Sequence, residues 1–273
     1  MSYTRELNVA REAADEAAKI VREFQSAKDF SVNFKGKNDL VTEADIQSEK
    51  RILSIIKEHF PDDEVLAEET AQKGSLSKKR TWIIDPIDGT MNFAHGFPIF
   101  CISIALWENR EPKVGLVLEV SNNEYFTAVE DEGAFLNGSP ISVSQLSPQH
   151  ALIGTGFPYT DLSLIENYLS FFHALMYETQ GIRRPGAASY DLCCVACGRF
   201  EGFYEYSLSP WDVAAGALII KEAGGMVSDW RGKDDWLFGE RIVTGNPKLH
   251  PFLLEKIRGH FTEEEIANVR RET

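Results

Sequence analysis

Three acidic strings in this sequence carry residue types suited to holding hard cations: Glu68-Glu69-Thr70, Asp85-Pro86-Ile87-Asp88-Gly89-Thr90 and Trp211-Asp212. Magnesium takes oxygen ligands in an octahedron, keeps several waters, and is commonly held by a few carboxylates together with a substrate phosphate. Two such ions about 3.5–4 Å apart can clamp the attacking and leaving oxygens of a phosphoryl transfer. Asp85 follows the apolar run Trp82-Ile83-Ile84, so its carboxylate is expected at a strand's end. Pro86 and Gly89 are expected to turn the chain so that Asp88 returns beside it. The same turn frees the Ile87 carbonyl as a ligand. If Gly89 and Thr90 open a helix, their amides form a cradle for phosphate, and the Thr90 hydroxyl can hold a water for attack.

Each string also has an ordinary structural explanation. Asp-Pro-x-Asp-Gly is common turn chemistry, and Glu68-Glu69 can be a solvated acidic face. Ser209-Pro210-Trp211-Asp212 matches a capping box with proline at the first helical position, and Thr42-Glu43-Ala44-Asp45 matches another. Cys194-Val195-Ala196-Cys197 has redox or zinc-like spacing, but it lies in an apolar helical pattern with no second Cys or His pair, so buried thiols are expected. Among six histidines there is no His-x-x-x-His pairing, and His95, the one nearest the acidic strings, reads as surface or as a neighbour of a cleft. No nucleophile elbow or Walker loop is present.

The chain of 273 residues carries 28 Lys plus Arg against 42 Asp plus Glu, a formal charge of -14. Such a surface repels phosphate backbones, so no nucleic-acid partner is expected, and an anionic ligand would need a bound divalent cation to offset the field. Three of the four cysteines crowd into residues 193–197, which argues against a disulfide framework. With a polar, charged start and no run of about 18 apolar residues, the expectation is a cytoplasmic protein with no membrane partner.

To bring the acids together the chain must build elements around them. Apolar residues from Leu7 to Phe24 recur at helical steps, and a second helix runs from about Glu43 to His59 after a polar loop at Lys35–Asp39. Phe100–Trp107, Val114–Val120 and Tyr125–Val129 read as strands joined by short turns, an antiparallel meander. Beyond Asn137-Gly138-Ser139-Pro140, helix and strand patterns alternate, with helices near Asp161–Glu178, Ala188–Cys197 and Pro210–Ala223 and from Lys248 onward. The reading is an α+β sub-domain over residues 1–145 and an alternating α/β sub-domain over residues 146–273, sharing a cleft.

Taken together, the strings resemble the inositol monophosphatase family of magnesium-dependent, lithium-sensitive phosphatases. The likeness rests on Asp39-Leu40-Val41-Thr42-Glu43-Ala44-Asp45, on Glu68-Glu69, on Trp82 through Phe93, and on Trp211-Asp212-Val213-Ala214-Ala215-Gly216, in order over roughly residues 5 to 260. It implies a layered αβαβα sandwich, a homodimer, two or three magnesium ions, and a small phosphorylated polyol as substrate. Carried over by motif, Glu68, Asp85 and the Ile87 carbonyl would hold the first metal, and Asp85, Asp88 and Asp212 the second. Thr90 and Asp45 would orient and deprotonate the attacking water, with Glu68 nearby. Phosphate would rest on the Gly89 and Thr90 amides, and the Ala188 amide, Glu205, Asp88 and Asp212 would contact the substrate. Lys37 stands where the family keeps a basic residue near the water. Departures are Ala67 before Glu68, Met91, and the Arg183-Arg184-Pro185-Gly186 approach to the substrate loop.

The reading is therefore a phosphomonoesterase, with inositol 1-phosphate as the leading substrate. Within the superfamily, fructose-1,6-bisphosphatase and 3'-phosphoadenosine 5'-phosphate phosphatase activities are the alternatives. An aspartyl-phosphate phosphatase of the haloacid dehalogenase kind pairs its acids two apart, whereas Asp85 and Asp88 are three apart. A non-catalytic phosphate-binding protein is the remote alternative.

Overall fold

The computed structural model describes residues 3–27, 32–36, 39–70, 76–159 and 161–267. The chain opens with α1 (Thr4–Ala27), the hairpin β1 (Val32–Gly36) and β2 (Asp39–Thr42), and α2 (Glu43–His59). There follow β3 (Glu64–Ala67), β4 (Thr81–Asp88), the short α3 (Thr90–Ala94), β5 (Cys101–Glu108), β6 (Glu111–Glu119), β7 (Glu124–Val129), β8 (Gly133–Leu136) and β9 (Ser139–Pro140). The rest comprises β10 (Leu152–Thr155), α4 (Ile165–Glu178), β11 (Gly181–Arg183), α5 (Ala188–Ala196), β12 (Gly202–Tyr206), α6 (Pro210–Glu222), β13 (Met226–Ser228), β14 (Arg241–Gly245), α7 (Leu249–His260) and α8 (Glu263–Ile266).

Strands β3 to β9 form one seven-stranded sheet in chain order, antiparallel except that β3 runs parallel to β4. The second sheet has the order β11-β10-β12-β14-β13 and is mixed, with β10 parallel to both β11 and β12 and β14 antiparallel to its two neighbours.

Alternation along the strands sorts their side chains into separate cores. Trp82 and Ile84 of β4 face α1 and α2, joining Ala13, Ala17 and Ile52, while Ile83 between them faces the other way, toward α5 and α6. That middle core also takes Phe203 and Ile242 from the second sheet, and a third core beyond it packs Tyr204 and Val243 against α4 and α7. The result is five layers, helix, sheet, helix, sheet, helix, which is the expected sandwich. Because α6 lies between two sheets, it is buried from Val213 to Ile220 without a polar stripe, and only its first turn reaches the edge of the layer.

Several boundaries differ from the sequence reading. Lys35, Gly36 and Asp39, expected in a polar loop, belong to the paired strands β1 and β2, whose backbone pairing needs no apolar signal; Lys37 lies outside the described residues. The helix expected from Asp161 begins at Ile165. Most consequentially, the strand before the central acidic string does not end at Ile84: β4 continues through Asp85 to Asp88.

Candidate active site

In a regular strand, residues three apart point to opposite faces. Asp85 and Asp88 escape this because β4 is bulged: Asp85 pairs with Ser103 and Asp88 with Cys101, so three steps on β4 oppose two on β5. The extra residue turns both carboxylates to one side. The Ile87 amide donates to Asp85 Oδ1 at 3.0 Å, stabilising the bulge locally. This corrects the expectation that a turn at Pro86 and Gly89 brings the two acids together; the turn comes one residue later. Gly89 adopts φ +91 as the N-terminal cap of α3, a left-handed conformation that L side chains rarely adopt. A Cβ at Gly89 would also lie 3.1 Å from the Ile99 carbonyl oxygen and 3.2 Å from Ala187 Cβ.

The third acid arrives from the other half of the chain. Ser209 and Asp212 form the expected capping box at the start of α6, with the Ser209 amide donating to Asp212 Oδ2 at 2.7 Å. One ligand atom from each of Asp85, Asp88 and Asp212 lies within 4.8 Å of the others. Glu68, in the turn after β3, faces Asp85 closely enough to share a proton with it. Burial first, then the charges of Glu68, Asp88 and Asp212, push the Asp85 carboxyl well above its ordinary range. Asp88 and Asp212 are raised too, chiefly by burial. Among the described residues no Lys or Arg pairs with Asp85, Asp88 or Asp212. Such an all-oxygen, anionic, uncompensated donor set suits magnesium.

Asp88 has a second attachment. The Ser189 amide and hydroxyl donate to its Oδ2 at 2.7 and 2.5 Å, and the Ala188 amide, expected to face a ligand, is turned toward this same carboxylate. The first turn of α5 thus seats Asp88 with its free amides and helix dipole. Sequence reasoning missed Ser189; a hydroxyl residue in a helix's first turn is the signal that could have found it.

Asp45 sits at the start of α2 and is fully buried. Its Oδ2 accepts the Thr42 amide at 2.8 Å and the Thr42 hydroxyl at 2.5 Å, while its Oδ1 lies 3.1 Å from the Thr90 hydroxyl. Burial lifts its pKa to about 6, against the opposing effect of the Thr42 hydrogen bonds. The Thr90 hydroxyl also lies 2.9 Å from the Ile87 carbonyl oxygen.

Glu205 extends from β12 into the same region, 8% exposed and pushed up to about 8 by burial, with Asp212 adding to the effect and Arg184 opposing it. Sequence reasoning missed Asp191 on α5, which is buried with an unpartnered Oδ1 and feels the charges of Glu205 and Asp88. Its only signal was an acid within an apolar helical pattern. His95 is exposed at the end of α3; of the pair expected to be buried thiols, Cys194 is buried whereas Cys197 is half-buried, and both are unbridged.

The site is thus built from β4, α2, α3 and the β3 turn on one side and from α5, α6 and β12 on the other. The chain matches the model of the inositol monophosphatase family over residues 3–262. It is 41% identical over 256 residues to a putative Nus factor SuhB of Neisseria meningitidis serogroup B, covering 93% of this chain and 98% of that one. It is also 41% identical over 254 residues to a fructose-1,6-bisphosphatase/inositol-1-monophosphatase of Aquifex aeolicus, covering 91% and 94%. Among solved structures, the extragenic suppressor protein suhB of Bartonella henselae superposes with a TM-score of 0.89 at 35% identity, over 94% of this chain and 100% of that one.

Proposed function

Since the chain belongs to the inositol monophosphatase family and is a phosphoric monoester hydrolase, we propose that it hydrolyses a small polyol phosphate, inositol 1-phosphate foremost, with magnesium as cofactor. The observation that carries this reading is the meeting of Asp85, Asp88 and Asp212 within 4.8 Å, with no Lys or Arg paired to them among the described residues. Glu68, Asp85 and the Ile87 carbonyl would hold one ion and Asp85, Asp88 and Asp212 another, with a third, weaker ion near Glu68. Bound there, the ions would supply the positive charge that neutralises the phosphate oxygens and would make a water acidic enough to attack at neutral pH.

The rest of the chemistry falls to the chain itself. The Gly89 and Thr90 amides, at the start of α3, would cradle the phosphate. Asp45 holds the Thr90 hydroxyl so that its lone pairs can accept a proton from the attacking water, and with a pKa of about 6 it is largely ionised at neutral pH and ready to take one. Glu205, largely protonated at neutral pH, can donate to a substrate hydroxyl, and the first turn of α5 bounds the polyol side. Attack is direct, with no covalent phosphoenzyme.

The test is phosphate release from inositol 1-phosphate, fructose 1,6-bisphosphate and 3'-phosphoadenosine 5'-phosphate, compared by kcat/KM across a magnesium titration. Activity abolished by chelator and highest on inositol 1-phosphate is expected. Preference for the bisphosphate would favour the second reading, which the name of the Aquifex relative supports. The proposal includes a homodimer, to be read by light scattering. The expectation of no nucleic-acid partner rests on net charge alone and gains nothing from the comparisons, one of whose relatives is named a putative Nus factor.

A further inference from the structure

The turn that carries Glu68 is tied to α2 by a bond that the chemistry above does not use. Strand β3 ends with Ala67 opposite Ile84 of β4, and the Glu68 amide donates to the Ile84 carbonyl at 3.1 Å. The chain then reverses, with the Thr70 amide 3.3 Å from the Ala67 carbonyl oxygen. In a turn closed this way the amide of the second central residue has no partner within the turn. That residue is Glu69, and its amide donates to Glu49 Oε2 at 2.7 Å. Glu49 is 1% exposed and lies four residues after Asp45, so the two acids share the inward face of α2. A carboxylate accepting a backbone amide away from water makes a charge-assisted bond, and losing the acceptor removes that bond from the turn.

We propose that Glu49 is a positioning residue for the metal site: by holding the Glu69 amide it fixes the turn that sets the Glu68 carboxylate against Asp85. The inference rests on the metal-dependent reading of the site. It gives one face of α2 two tasks, since Asp45 governs Thr90 and Glu49, one helical turn later, governs Glu68. A residue serving only packing would change stability and leave cation affinity where it was. A residue that fixes Glu68 changes cation affinity whenever its acceptor atom is lost or withdrawn.

The test uses the full chain without substrate, titrated with magnesium by calorimetry, with a thermal scan of each variant. Glu49→Gln keeps an acceptor oxygen at the same reach and discards the charge. Glu49→Asp keeps the charge and withdraws the acceptor by about one C–C bond, ~1.5 Å. Glu49→Ala removes it. The expected result is a magnesium Kd within about threefold of wild type for Glu49→Gln, weakened about tenfold or more in Glu49→Asp and Glu49→Ala, with kcat recovered at saturating magnesium. Wild-type affinity in Glu49→Asp, or a loss in Glu49→Gln equal to that in Glu49→Asp, would overturn the proposal. Should Glu49→Ala fail to fold, the other two variants decide alone. If the wild-type protein itself binds no magnesium, the functional reading fails, and this inference with it.

Discussion

Asp45 meets Thr90 with one carboxylate oxygen and its own helix cap with the other. The Thr42 amide and hydroxyl occupy Oδ2, leaving Oδ1 at 3.1 Å from Thr90 Oγ1. The capping box therefore does more than start a helix: it prevents Asp45 from rotating away from its partner. A threonine hydroxyl has a single proton, so Thr90 donates either to Asp45 or to the Ile87 carbonyl, and it keeps lone pairs to accept from a water in both cases. Thr90→Ala and Asp45→Asn should each lower kcat by about 10²–10⁴-fold. The magnesium dependence should stay near that of wild type, as read by phosphate release beside calorimetry. Turnover at the wild-type rate in either variant would remove the pair from the chemistry.

Asp85 should show opposite effects on function and on stability. Burial and three neighbouring acids oppose its ionisation, and the neutral amide of Asp85→Asn removes that conflict while keeping an acceptor for the Ile87 amide. Loss of calorimetric magnesium binding and of turnover is expected. In chelator near pH 8, thermal unfolding should move up by a few degrees. A variant that keeps magnesium binding would remove Asp85 from the ligand set.

Glu205 makes the metal-free protein sensitive to alkali. Its carboxyl is raised from 4.5 to about 8, so the native state holds the proton more tightly than the unfolded chain. That contribution to stability is complete below about 4.5 and is lost as pH climbs through about 8. Thermal scans in chelator should show Tm falling over this window, and Glu205→Gln should flatten the fall. An unchanged slope in the variant would assign the pH dependence to other groups.

Gly156 keeps space for Glu205. A Cβ at Gly156 would lie 2.0 Å from Glu205 Oε1, and because the carboxylate ends a flexible side chain, Gly156→Ala should push it aside and leave the strand in place. The expected outcome is a KM for inositol 1-phosphate raised about tenfold, comparable to losing one substrate hydrogen bond, with the magnesium midpoint unmoved. An unaltered KM would show that Glu205 takes no part in substrate binding.

The sequence by itself carried whatever depends on near neighbours in the chain. Helical spacing marked α1 and α2, Thr42 and Asp45 announced one helix opening, and Ser209, Pro210 and Asp212 announced another, because capping bonds span only three residues. The order of its acidic strings was enough to indicate the family and hence the five layers. Tertiary structure decided how the acids meet. The bulge opposite Ser103 and Cys101 exists only through pairing with β5, and it alone turns Asp85 and Asp88 to one side. Ser189 reaches Asp88 across 101 residues and Glu49 holds the turn of Glu68 across 20, distances over which no local pattern registers. Spacing along the chain can show that Asp85, Asp88 and Asp212 are available, but their proximity, and with it their raised pKa values and demand for a cation, comes from packing α5 and α6 against β4.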